Sequence, residues 1–129
     1  MNASKLRQEI GLLNKERSKL LDRVIRPGRM VKGSLYQMGR SCGNPNCKCC
    51  KYAKKHVSWY LSRGMEGKTK LTYVGRIVPS WLADSVKRYQ HHQKLLARIR
   101  KADARISDGL NQLRDAMVQT IEEARRKHQ

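Results

Sequence analysis

Four cysteines, Cys42, Cys47, Cys49 and Cys50, fall within nine residues of a 129-residue chain that is only 39% apolar and 5% aromatic, with no Phe. A chain so poor in core-forming side chains cannot build a large globular interior. Compact units below roughly 70 residues usually need a metal, disulfides or association to become stable. Cysteines this close in sequence leave few disulfides open, and in a reducing compartment such clustering reads as metal binding. The pattern Cys42-x4-Cys47-x-Cys49-Cys50-x5-His56 suits zinc, which takes four thiolate or imidazole ligands with sulfurs about 2.3 Å away. Gly43 and the Asn44-Pro45 pair set a turn that lets sulfurs converge. Cys42, Cys47 and Cys49 are therefore expected to hold one structural Zn2+ ion, with His56 preferred as the fourth ligand and Cys50 as the alternative. Four protein ligands would leave no position for a reactive water, so zinc catalysis is not expected. The competing reading is a set of free or redox-active thiols, but no βαβ pattern surrounds them as in dithiol oxidoreductases.

The rest of the chain separates into three segments, 1–26, 27–79 and 80–129. In the first, Leu6, Ile10, Leu13, Leu20, Leu21, Val24 and Ile25 recur at spacings of three and four, interrupted where Arg17 stands in place of an apolar residue. That is a helix with one narrow apolar stripe, capped by Asn2 or Ser4 and ended by Pro27-Gly28. In the second segment the apolar period changes to two: Val57, Trp59 and Leu61 alternate with Ser58, Tyr60 and Ser62, and Thr69, Leu71 and Tyr73 with Lys70, Thr72 and Val74. The alternation predicts a β-hairpin with a four-residue turn at 64–67, and Ser34 to Met38 adds a third short strand. Pro79 and Ser80 announce a last helix, with Leu82, Val86, Tyr89, Leu96, Ile99, Ile106, Leu110, Leu113, Met117 and Ile121 as its stripe. The fold class expected is α+β: a small zinc-bound β module between an N-terminal helix and a long, coiled-coil-like C-terminal helix.

Helices of these lengths span roughly 33 Å and 70 Å at about 1.5 Å per residue. The first can cover only half of the second, which predicts an uncovered apolar stripe from about 102 to 126. Self-association, or docking to a larger protein, would cover it. A bend at Gly109 is the alternative, since glycine costs about 1 kcal/mol in a helix interior.

The formal charge is +19, from 29 Lys and Arg against 10 Asp and Glu. Self-repulsion of that size calls for a polyanionic partner, and nucleic acid is the first candidate. The charge is concentrated. From Arg23 to Ala83 there are 13 basic residues and one acid, Glu66. The expected contact residues are Arg29, Lys32, Arg40, Lys48, Lys51, Lys54, Lys55, Arg63, Lys68 and Lys70 for phosphates, with Tyr52 and Tyr60 to stack on bases. Trp59 reads as hairpin core. An anionic membrane surface is a weaker candidate, because no amphipathic stretch presents a Trp- or Phe-rich face. No run approaches the roughly 18 apolar residues that cross a bilayer, and the first residues lack a signal-peptide core. A cytoplasmic place, on the nucleoid or free, is expected.

Gly33-Ser34-Leu35, the Cys42-Gly43-x-x-x-Cys47-x-Cys49 run, His56, Tyr60-Leu61-Ser62, Gly67-Lys68-Thr69 and Tyr73-Val74 together resemble a small prokaryotic domain family of unknown function. In that family a cysteine knuckle precedes a Tyr-rich hairpin and a helical tail, and the likeness covers about residues 30 to 90. The resemblance implies Cys42, Cys47, Cys49 and His56 as shared metal positions and leaves Cys50 as an extra. The chain departs from the family at His56-Val57-Ser58-Trp59, where His-Gly-Pro-Tyr is common.

No nucleophile–base pair, phosphate-binding glycine loop or acidic metal triad is present, and His91-His92 on the last helix point in different directions. The expectation is a non-catalytic nucleic-acid-binding protein, with DNA favoured over RNA. A protein-binding adaptor, or an RNA- or ribosome-associated structural protein, is the alternative.

Overall fold

The computed structural model describes residues 2–40 and 56–128. Its elements are α1 (Ala3–Val24), β1 (Ser34–Arg40), β2 (His56–Met65), β3 (Lys68–Gly75), α2 (Ser80–Met117) and α3 (Ile121–Lys127). The fold is α+β: a three-stranded antiparallel sheet in the order β1-β2-β3, with an N-terminal helix and a long C-terminal one. By packing, the chain divides into two compact units. One is Pro27–Gln93; the other combines Met1–Arg26 with Lys94–Gln129.

In the first unit, one face of the sheet lies on the start of α2. Leu61, Leu82 and Val86 are buried, and Val31, Leu35, Val74 and Val78 pack around them. Each such side chain contributes about 1.5–3 kcal/mol when fully buried. The chain entering β1 is pinned to α2 by polar bonds as well. Val31 N donates to Ser85 O at 3.1 Å, and Arg88 Nε donates to Arg29 O at 2.8 Å. Arg88 also donates to the Ser85 hydroxyl at 3.1 Å, and that hydroxyl donates to Trp81 O at 2.7 Å. Gly33 sits at φ 138, and a Cβ there would stand 2.6 Å from Ser62 O and 2.9 Å from a Leu61 methyl. Only glycine allows β1 to begin this close to β2.

The β2–β3 turn is shorter than the four residues expected. Gly64 and Met65 remain in the ladder, opposite Thr69 and Lys68, and only Glu66 (φ 48) and Gly67 (φ 77) turn. Positive φ at both central residues is the hairpin geometry whose twist matches that of the strands.

In the second unit, α1 starts from Asn2, whose side-chain oxygen accepts from Lys5 N at 2.8 Å. It packs antiparallel on α2. Leu20 meets Leu95 and Ile99, with Val24 alongside; Arg17 pairs with Asp103; Glu16 lies 3.7 Å from Arg98; and Ile10 lies against Gly109. Two expectations change here. α1 lies along α2 beyond residue 102 as far as Gly109, so the expected uncovered stripe is shortened, with Leu110 and Met117 still exposed. Gly109 is not a bend: the helix runs unbroken to Met117, and a Cβ at Gly109 would come within 3.0 Å of Ile10, so the missing side chain admits α1. Arg17, the break in the α1 stripe, faces a carboxylate where an apolar contact was expected.

Candidate nucleic-acid interface

Register decides what each face of the sheet carries. Along β2 the side chains alternate, so Leu61 goes to the helix and Tyr60 to the opposite face. Tyr60 is the ladder partner of Tyr36 on β1 and of Tyr73 on β3. The rings are neighbours: Tyr36 and Tyr60 lie 6.4 Å apart between centroids, tilted by 34°, and Tyr60 and Tyr73 lie 5.6 Å apart, edge to face at 72°. Tyr73 is 62% exposed, while Tyr36 and Tyr60 are half-buried. A bulge between Trp59 and Tyr60 shifts the pairing with β3, so that Trp59 meets Gly75. Trp59, expected in the hairpin core, is half-buried.

The cations are arranged without counter-charges. Arg63 and Lys70 occupy one rung of the ladder. Like charges directly opposite are destabilising. Lys68 lies opposite Met65, two positions along β3. Arg63 Nε is buried and has no hydrogen-bond partner. β3 is an edge strand, exposed from Lys68 through Tyr73. The unit Pro27–Gln93 contains 13 basic residues and two acids, Glu66 and Asp84.

Of the residues singled out from sequence, Arg63, Lys68 and Lys70 are brought together on β2 and β3, and Tyr60, of opposite parity along β2, stands on the other face of the sheet. Arg29 and Lys32 are exposed on the segment that enters β1, and Arg40 ends that strand. Lys48, Lys51, Tyr52, Lys54 and Lys55 lie outside the described residues, as do Cys42, Cys47, Cys49 and Cys50. His56 opens β2 as the ladder partner of Arg40. Among the described residues, no group of three or more His, Cys, Asp or Glu is placed to hold a metal. No helix among them is long and apolar enough to cross a membrane. Sequence reasoning missed Tyr36 and Tyr73 as surface partners of Tyr60. A four-residue turn would have paired Tyr60 with Leu71; the two-residue turn brings it to Tyr73.

A family described as a domain of unknown function (DUF6788) matches residues 5–84, more than half of the chain. The chain belongs to that family. The resemblance read from the sequence implied an uncharacterised family over about 30 to 90; DUF6788 is uncharacterised, and its span reaches N-terminally to residue 5. It takes in nearly all of α1, the whole sheet and the first turn of α2. The DUF6788 span thus holds all three tyrosines and the Arg63–Lys70 rung, whereas the stretch of α2 that packs on α1 lies beyond it. No curated protein and no solved structure matches the chain.

Proposed function

We propose that the protein is a non-catalytic nucleic-acid-binding protein, with DNA as the favoured form, whose sheet unit contacts phosphates. The observation that carries this reading is the Arg63–Lys70 rung, in a unit with 13 basic residues against two acids. A ladder pair that repels itself gains most from an anion shared between its members, and the surrounding unit supplies almost no acid to do that. A polyanion neutralised by about six such cations would lose roughly 10³ in affinity between 50 and 200 mM salt. Fluorescence anisotropy with a labelled 20-base-pair duplex and its single strand, across that salt range, tests it. Absence of binding, or an affinity indifferent to salt, rejects the reading.

The same proposal includes one structural zinc ion held by Cys42, Cys47 and Cys49 with His56. Four cysteines within nine residues support it, as does the ladder, which sets His56 beside Arg40 at the base of the segment that carries them. A zinc held there would tie that segment to the sheet, and its binding energy would count toward folding. Metal content by plasma emission is expected to be one zinc per chain. Cys42→Ser, Cys47→Ser or Cys49→Ser should each take it below half, and comparing His56→Ser with Cys50→Ser identifies the fourth ligand. Unchanged zinc in all five variants would reject this part.

A further inference from the structure

The face of the sheet turned away from α2 carries an arrangement that phosphate binding leaves unexplained. Three of the chain's seven aromatic residues stand on it, one per strand and in register. Around them the ladder places Ser34, Ser58 and Ser62 together with Met38 and Leu71, and Leu71 is itself 40% exposed, so the face is apolar around its rings. A tyrosine at the solvent end of such a row, 62% exposed, keeps apolar ring surface in water.

We propose that Tyr36, Tyr60 and Tyr73 form a stacking platform for unpaired nucleobases, making this face a single-strand-binding surface. The inference rests on the nucleic-acid reading above and deepens it by naming the form bound. Spacing selects that form. The ring centroids are 6.4 and 5.6 Å apart, well over the roughly 3.4 Å rise per base of a helical strand. Bases received on successive rings must therefore be splayed out of their stack. A duplex cannot present them so, whereas single strands commonly do on aromatic sheet faces. Charge selects the occupant. The three strands carry Arg40, Arg63, Lys68 and Lys70 and no acid, and the turn between β2 and β3 adds only Glu66. Lys68 and Lys70 alternate with Tyr73 along the exposed edge strand and so stand on the other face from its ring; a nucleotide chain crossing that edge has a ring for its base on one side and ammonium groups for its phosphates on the other. Every base offers a π-face, so the platform tolerates any sequence.

The test uses the 129-residue chain as purified and four probes of equal length at 150 mM salt: oligo-dT, oligo-rU, an abasic deoxyribose-phosphate oligomer and a DNA duplex. The expected result is that oligo-dT binds at least tenfold more tightly than the abasic oligomer and more tightly than the duplex, with tyrosine fluorescence quenched. Tyr73→Ala should then cost roughly tenfold on oligo-dT and nothing on the abasic oligomer, while Tyr73→Phe stays within about twofold. Oligo-rU bound like oligo-dT extends the platform to RNA. Equal affinity for oligo-dT and the abasic oligomer would overturn the platform and leave the phosphate reading standing. That comparison uses the wild-type chain and does not depend on a variant folding. Failure to bind any probe overturns both. Two other occupants are distinguished: poly-glutamate bound as well as oligo-dT, or a dimer that Tyr73→Ala makes monomeric with oligo-dT affinity unchanged, would each assign the face elsewhere.

Discussion

Lys70 stands opposite Arg63, and replacing it separates stability from binding. Lys70→Glu converts a repulsive rung into an attractive one, and a cross-strand pair of opposite sign contributes roughly 0.2–1 kcal/mol. Thermal unfolding should therefore move up while affinity for nucleic acid falls. A residue whose only role was folding would not divide the two readouts in this way, and a variant that binds as well as the parent counts against the phosphate contact. Gly33 gives the opposite case. Any Cβ there meets Ser62 O at 2.6 Å while the backbone holds φ at 138, so Gly33→Ala combines a clash with a conformation that L side chains avoid. A loss of about 2–3 kcal/mol in urea unfolding is expected. Gly33 was legible in the sequence as part of a family pattern. Its reason was not, because the Ser62 carbonyl is 29 positions away and is brought near only by the β1–β2 register.

Among the elements, the strands and both long helices could be read from periodicity because each has one buried stripe. The α1 stripe of Leu6, Leu20 and Val24 and the strand position of Leu61 are set by core packing, and core packing leaves a period in the sequence. What periodicity omits is where two elements meet. Nothing local marks α1 as the partner of residues 95–109; the clues were Arg17 and Gly109, two breaks in otherwise apolar patterns that explain each other only once Asp103 and Ile10 are placed beside them. The hairpin shows the same limit. Gly64 and Gly67 made a four-residue turn plausible, yet the left-handed backbone is adopted by Glu66 and Gly67. Asparagine tolerates that region better than glutamate. Glu66→Asn should therefore stabilise the hairpin by about 0.5 kcal/mol, and an unchanged or lower melting temperature would contradict the turn as described.

For the whole molecule, the compact units do not follow the order of the chain: the second is assembled from the two ends, with α2 contributing to both. Leu110, Met117, Val118 and Ile121 remain 51–65% exposed, which supports association through the C-terminal end. Met117→Lys with Ile121→Lys should lower the mass measured by light scattering without changing the melting temperature, and an unchanged mass rejects association there. The cysteine segment carried the most specific chemical expectation in the sequence, a zinc site read from residue type and spacing, and its residues lie outside those described. Its attachment has a consequence of its own. Arg40 and His56 are ladder partners, and antiparallel strands so close can be joined by two residues. The sheet needs almost none of the fifteen residues between them to close. A sheet that closes at this rung keeps its tyrosine face in register whatever the length of the connection, so shortening it should leave the three rings where they are.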